Sequence, residues 1–346
     1  MTGVQTCALP IFTTRHDLAI GISGAIGGLF EHDPVDPKRI GFVSLSTTLA
    51  TNALVEGQGT PAALVMIGFT EADLQRGGLG TALGQSPVVF CNGGHDGHGR
   101  AKPLDLAPLE TFLESSAGKA AHGFAVASVF AVRNPAHEIA ARDMVIAKTG
   151  KPVTLSHELS ARLNGPKRAL TTLLNARLIP MISGLIAAVE RTLQTRHIDA
   201  PLMVVRGDGS LVTAAFARER PVETILSGPA ASVLGARAMT GLKRALVSDI
   251  GGTTTDVAVL EDGLPRIDPD GAMVGGHRTM VEAVAMRTFG LGGDSEVSFD
   301  ERSLNAKLIL GPRRLIPVSL LAHEHGAAIF NVLERQLAQP DRKSVV

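Results

Sequence analysis

The sequence predicts an α/β fold in two parts. Three observations carry this. Short apolar, β-prone runs alternate with segments apolar at helical spacing between residues 40 and 205, as strand–helix–strand units around a largely parallel, doubly wound sheet require. The length of 346 residues exceeds what one hydrophobic core usually holds, so two domains are expected. Polar glycine turns recur at the ends of the predicted strands, which is where open α/β sheets bind ligands.

Taken in order, residues 17–30 carry Leu18, Ile22, Ile26 and Leu29 on one helical face, and Pro34 and Pro37 end that helix. Residues 40–45 read as a strand running into Ser46-Thr47-Thr48, where Thr47 or Thr48 can cap a helix. Residues 62–67, 88–90, 123–132 and 152–155 are further strands. Helices are predicted over 106–115 and from Asn134-Pro-Ala-His-Glu138 to about Lys148, with Gly150 as the stop. Residues 169–194 form the longest helix, apolar along Leu170, Leu174, Leu178 and Ile182, with Pro180 predicting a kink. Residues 201–205 start a second α/β unit and lead into Arg206-Gly-Asp-Gly-Ser210. Ser227-Gly-Pro-Ala230 opens a helix of small residues that ends near Gly241. Two apolar runs, 244–248 and 257–260, flank Asp249-Ile-Gly-Gly-Thr-Thr-Thr-Asp256 as a hairpin, and Asp262-Gly263 turns the chain into another short strand. Gly290-Leu-Gly-Gly-Asp-Ser295 is a second glycine turn.

Composition excludes several classes. Lys+Arg and Asp+Glu are both 33, so no charge excess calls for a nucleic-acid or membrane partner. Tyr and Trp are absent, which leaves only Phe or His as stacking platforms for single strands. No apolar stretch is read as reaching the length of a spanning helix, and no basic segment marks a signal peptide. Two cysteines, Cys7 and Cys91, make no disulfide framework, so a reducing cytoplasm is expected. Residues 1–11 resemble a translated sequencing adapter and 341–346 look similar; both are set aside as foreign, which leaves Cys7 without meaning.

The chemistry-bearing candidates are turns. In the Asp249–Asp256 stretch, Gly251 and Gly252 let backbone N–H groups approach phosphate oxygens, Thr253 and Thr254 add hydroxyls, and Asp249 and Asp256 suit a hydrated Mg²⁺. An exposed polar hairpin turn would use the same residues, although the eight-residue pattern between two apolar strands favours a nucleotide. Thr47 and Thr48, Asp208 in its glycine turn, and Gly292, Gly293 and Asp294 extend the expected nucleotide cleft. Ser227 and Gly228 either cap their helix or present its N-terminus to an anion. His95, Asp96 and His98 put three possible metal ligands within four residues, so a second divalent ion is conceivable; without a third, distant ligand a solvated polar loop is the preferred reading. His137-Glu138 and His157-Glu158 could add a ligand, and His323-Glu-His325 reads as surface. Cys91 reads as a buried structural thiol. Neither a P-loop nor a Gly-x-Ser-x-Gly elbow occurs.

Ser46-Thr-Thr-Leu-Ala-Thr-Asn-Ala-Leu-Val-Glu56, Asn134-Pro-Ala-His-Glu138, Glu223-Thr-Ile-Leu-Ser-Gly-Pro-Ala-Ala-Ser-Val-Leu-Gly-Ala236 and Asp249-Ile-Gly-Gly-Thr-Thr-Thr-Asp256 together resemble the hydantoinase A/5-oxoprolinase family, in order and over roughly residues 18–321. The resemblance implies two ribonuclease-H-like lobes of the actin, sugar-kinase and Hsp70 type, with residues 12–165 as an N-terminal-type lobe and 166–340 as the hydantoinase A-type ATPase lobe, both incomplete. It implies ATP and Mg²⁺ as cofactors, a cyclic amide such as hydantoin or 5-oxoproline as substrate, phosphorylation of the amide oxygen, and a hydantoinase B-type partner subunit or a homo-oligomer. Relatives that act in ketone carboxylases of the acetone-carboxylase kind give the rival reading, and a non-catalytic actin-like ATP switch a third. By motif, Asp249 to Asp256 resembles the second phosphate loop, with Asp249 as the Mg²⁺ or water-positioning carboxylate, and Gly292 and Gly293 resemble the adenosine-side glycines. Three departures stand out. The family's first phosphate loop has no counterpart here, the His95–His98 loop stands where many relatives carry Arg and Glu, and Leu310-Gly-Pro-Arg-Arg314 replaces a Gly-Pro-x-Ser-Ala-Gly run.

Overall fold

The computed structural model describes residues 18–32, 35–55, 57, 59–300, 307–316, 321–322 and 325–338. The segments 1–11 and 341–346, Cys7 and His323 lie outside the described residues. The chain forms two compact units, residues 1–231 with 267–284, and residues 232–266 with 285–346. This division falls well after residue 165, the lobe boundary read from the sequence.

The first unit opens with α1 (Leu18–His32), β1 (Val43–Leu45) and α2 (Leu49–Val55). The expected strand over 40–45 is thus only its last three residues. β2 (Ala62–Ile67), α3 (Leu79–Leu83), β3 (Val88–Cys91), α4 (Ala107–Glu114), α5 (Ser116–Ala120), β4 (Gly123–Ser128), α6 (Ala136–Thr149), β5 (Val153–Leu155) and α7 (Ser156–Leu159) follow. Strands β3, β2, β4 and β5 lie side by side in that order, all parallel. Every residue of β2 and β4 is buried, because helices cover both faces of the sheet. On one face Val65, Ile67, Phe124 and Val126 pack with Leu109 and Leu113 of α4 and Ala141 and Val145 of α6. Phe112 meets Phe124 edge-on, with 6.5 Å between ring centroids.

α8 (Gly165–Thr195) packs on β2, β4 and β5. Asn164 caps it through Lys167 N–H at 3.2 Å. Pro180 sits inside a helix that continues to Thr195. By length and composition α8 could cross a membrane, contrary to the sequence reading; here its apolar side chains, among them Leu170, Leu173, Leu178 and Ile186, are buried. β6 (Leu202–Val205) pairs parallel with β1 and antiparallel with β7 (Leu211–Thr213), and α9 (Ala214–Glu219) follows. α10 (Ser227–Thr240) contains the division between the units.

The second unit is antiparallel, so the largely parallel sheet expected from the sequence is confined to the first. β8 (Ala245–Ile250) and β9 (Thr255–Glu261) form a hairpin, and β9 continues into β10 (Leu264–Pro265). The two-residue loop between them is Asp262-Gly263, with φ of 51° and 82°. That is the pair of positive φ values a type I′ turn requires, and the Asp-Gly dipeptide predicts it. β11 (Met273–Val274) and β12 (His277–Arg278) make a small ribbon in the first unit. β13 (Met286–Phe289) pairs with β9, and β14 (Ser295–Asp300) with β15 (Lys307–Arg314). α11 (Ala327–Leu337) is the last described helix.

Candidate functional site

In the second unit, the β8–β9 register places Asp249 directly opposite Asp256, and Ile250 opposite Thr255. Opposed residues on paired strands share a face, with Cβ atoms about 5 Å apart. Two carboxylates in that position repel unless a cation or donors balance them. Ser232 Oγ donates to Asp249 Oδ2 at 2.7 Å, and Thr288 Oγ1 donates to Asp256 Oδ1 at 2.6 Å. The other oxygen of each carboxylate has no protein partner among the described residues.

The turn closes through Gly251 N–H to Thr254 C=O at 2.9 Å. Within it, the N–H groups of Gly252, Thr253 and Thr254 have no acceptor among the described residues, and Gly252 and Thr253 are exposed. Successive free N–H groups in a turn form a concavity that receives anions. The second glycine turn packs against this one. Gly293 N–H donates to Gly251 C=O at 2.9 Å, Asp294 N–H to Gly252 C=O at 2.8 Å, and Thr255 Oγ1 to Leu291 C=O at 2.6 Å. A Cβ on Gly292 would lie 2.4 Å from Gly252 C=O, so only glycine permits this approach. Arg314 Nη1 donates to Thr253 Oγ1 at 2.7 Å and brings a cation beside the turn.

Thus Asp249, Gly251, Gly252, Thr253, Thr254, Asp256, Gly292, Gly293 and Asp294 gather in one place. Ser232, Thr288 and Arg314, which hold the site, are not among the site residues read from sequence, although Ser232 and Arg314 lie in stretches singled out there. The partner of each is fixed only by strand pairing or by the return of the chain.

The remaining candidates lie in the first unit. Ser227 is fully buried, and its Oγ both donates to Thr47 C=O at 3.0 Å and accepts from Thr47 N–H at 3.3 Å. Gly228 faces the Thr48 methyl. Thr47 Oγ1 accepts from Leu49 N–H at 3.0 Å, a local turn just ahead of α2. The Ser227 hydroxyl is therefore committed to joining two segments 180 residues apart rather than to its own helix. Asp208 is equally committed: Oδ1 accepts from Ser210 N–H and Oγ at 2.9 and 2.7 Å, and Oδ2 pairs with Arg206 at 3.1 Å. Arg206 also holds Glu223 at 2.7 Å. Burial pushes the Glu223 carboxyl up, against the pull of Arg206 and Arg220.

The His95–Asp96–His98 loop does not assemble as a metal site. His95 is fully buried and stacks on His137 at 4.3 Å between centroids. Asp96 turns back on its own loop, accepting from His98 and Arg100 N–H at 2.8 and 3.0 Å. The Arg100 amide, with those of His98 and Gly99, holds its carboxyl below the usual range. His98 is exposed. Among the described residues no group of three or more His, Cys, Asp or Glu is placed to hold a metal ion. The loop turns back on itself between Asp96 and Arg100, with Asp96 N–H to Arg100 C=O and Gly99 N–H to Asp96 C=O both at 3.0 Å, which leaves His95 inside and His98 outside. Cys91 is a buried free thiol, as expected, with its pKa pushed up to about 11 by burial.

Two family models match the chain. The hydantoinase/oxoprolinase N-terminal region matches residues 5–148, and hydantoinase/oxoprolinase matches residues 168–313. The chain belongs to the hydantoinase/oxoprolinase family. Caprolactamase subunit alpha of Pseudomonas jessenii is 27% identical over 215 residues, 61% of this chain and 30% of that protein. The gamma subunit of acetophenone carboxylase from Aromatoleum aromaticum is 25% identical over 337 residues, 87% of this chain and 45% of that protein. The crystal structure of the ATP-dependent caprolactamase from Pseudomonas jessenii shares the fold, with a TM-score of 0.71 and 24% identity over 90% of this chain and 48% of that one. The chain spans less than half the length of these relatives.

Proposed function

We propose that the chain is the nucleotide-handling part of an ATP-dependent enzyme that opens a cyclic amide. One observation carries this reading: the opposed Asp249 and Asp256 bracket a turn with three free N–H groups, and the turn is locked to a second glycine turn. A Mg²⁺–nucleotide fits this donor set. The free carboxylate oxygens suit a hydrated Mg²⁺, which keeps several waters, and the N–H groups and Arg314 suit phosphate oxygens. Bound there, a nucleotide would supply a phosphoryl group to the amide oxygen, which makes the ring carbon electrophilic enough for water to add and for the ring C–N bond to break. The chain's own residues orient and neutralise, which is most of what phosphoryl transfer asks of a protein. In this reading residues 12–165 and 166–340 are two ribonuclease-H-like lobes. A hydantoinase B-type subunit completes the reaction, in keeping with relatives that are named as subunits.

A second reading, the ATP-using subunit of a ketone carboxylase, is favoured by the breadth of the acetophenone carboxylase match, 87% of this chain. ATP hydrolysis by the full-length gene product with its partner subunit separates the two. Stimulation by ε-caprolactam, hydantoin or 5-oxoproline supports the cyclic amidase. Stimulation only by a ketone with bicarbonate replaces it with the carboxylase. Nucleotide binding without stimulation by any of these rejects both in favour of an actin-like switch.

A further inference from the structure

The carboxyl-terminal edge of the four-stranded parallel sheet carries a buried polar cluster that the nucleotide site does not use. Its centre is Glu138, on the first turn of α6, fully buried. Four donors converge on that carboxylate. Ser128 N–H, at the end of β4, reaches Oε1 at 2.8 Å, and Ser156 Oγ, following β5, reaches Oε1 at 2.5 Å. His157 N–H reaches Oε2 at 3.1 Å and His157 Nδ1 reaches it at 2.6 Å. Arg168, 2% exposed, stands beside Glu138 and donates to Ser156 Oγ, Ser128 C=O and Arg162 C=O.

The arrangement fixes one imidazole. With Glu138 accepting from Nδ1–H, the neutral tautomer of His157 leaves Nε2 as an acceptor. The His157 side chain is 21% exposed, and Nε2 has no partner among the described residues. Arg168 supplies a countercharge beside Glu138. Two further groups at the same strand ends are buried without a protein partner: Ser128 Oγ and both ring nitrogens of His95. His95 N–H is tied to Val129 C=O, next to Ser128, at 3.0 Å. His137, which stacks on His95, precedes Glu138 in the chain. Parallel α/β sheets bind their ligands at this edge.

We propose that His157, positioned by Glu138, is the contact for a small neutral ligand bearing an N–H donor, with Nε2 accepting that hydrogen bond. The class that fits, resting on the cyclic-amide reading above, is a lactam or hydantoin. Glu138 is the positioning residue, because it touches only His157 and the strand ends.

The test uses the full-length protein with its partner subunit. Diethyl pyrocarbonate modifies unprotonated imidazole nitrogens, and peptide mass spectrometry reads each histidine separately. His157 is expected to react. Saturating ε-caprolactam, hydantoin or 5-oxoproline should slow its modification at least about fivefold while leaving exposed His197 unchanged. For the amide that stimulates ATP hydrolysis, His157→Asn should raise KM about tenfold, as the loss of one hydrogen bond implies. Absence of protection by all three amides overturns the proposal, whether or not His157→Asn folds. Stimulated ATP hydrolysis without protection removes the His157 site and keeps the function; protection without stimulated hydrolysis keeps the site and removes the function.

Discussion

Replacing Gly292 with alanine tests the packing of the two glycine turns directly. The new Cβ would lie 2.4 Å from Gly252 C=O and 2.6 Å from both Gly251 C=O and the Gly252 carbonyl carbon. Real Cβ contacts of this kind are more than about 3 Å, and the obstacle is backbone, so no flexible side chain can yield. Overpacking of this kind costs about 1–3 kcal/mol. Separating the turns also strains two hydrogen bonds, Gly293 N–H to Gly251 and Asp294 N–H to Gly252, each worth about 1 kcal/mol. A local loss of about 3–5 kcal/mol follows, which corresponds to roughly 100-fold or more in the opening equilibrium. Amide hydrogen exchange at Gly293 and Asp294 measures it. Gly251→Ala is the control: its Cβ would meet Thr254 C=O at 3.4 Å, ordinary contact, and neither glycine has a positive φ. Exchange in Gly292→Ala within about fivefold of the parent, or equal acceleration in Gly251→Ala, would refute the reasoning, because it rests on close approach and not on glycine flexibility.

Asp249→Asn should retain the parent melting temperature within a few degrees and lower the ATPase rate of the full-length protein by about 100-fold or more, a single preorganised charge being worth that much in phosphoryl transfer; near-parent turnover would remove Asp249 from the site. Acid should weaken the first unit through His95 and His137, whose imidazoles are held below their ordinary value by burial, His137 also by the charge of His95. The unfolded chain then binds more protons near and below pH 6.5, so this contribution to stability is intact above pH 6.5 and is lost as pH falls beneath it. Thermal unfolding between pH 7.5 and 5 should show that slope, and a His95→Leu variant with an unchanged slope would contradict it. Cys91, with its thiol pKa raised to about 11, should resist a disulfide reagent at pH 8 until the chain unfolds, in a Cys7→Ser background; prompt labelling in the native state would show the thiol to be accessible.

Local chemistry was legible in the residues themselves. Asp262-Gly263 specifies a two-residue turn because few residues tolerate two consecutive positive φ values, and the structure has that turn. Gly150 ends α6 at φ 65° for the same reason. The hairpin around Asp249 follows from two apolar runs flanking a glycine turn, and its register makes the two aspartates face each other. The buried parallel strands announce themselves as unbroken apolar runs such as Ala62–Ile67, which need cover on both faces.

The commitments of polar side chains were decided only by tertiary structure. Asp208, Ser227 and Asp249 look alike in sequence, as an acid or hydroxyl at a turn. In the folded chain Asp208 is fully engaged by Ser210 and Arg206, Ser227 is locked to a strand end 180 residues away, and Asp249 keeps a free oxygen. His95 and His98 are equivalent by spacing, yet one is buried against His137 and the other exposed. Glu138, read as helix-start polarity, gathers donors from the ends of two strands. Turn geometry depends on the φ preferences of a few adjacent residues, so sequence determines it. Which hydroxyl, carboxylate or imidazole remains available for a ligand depends on partners brought from distant parts of the chain, and only packing supplies those.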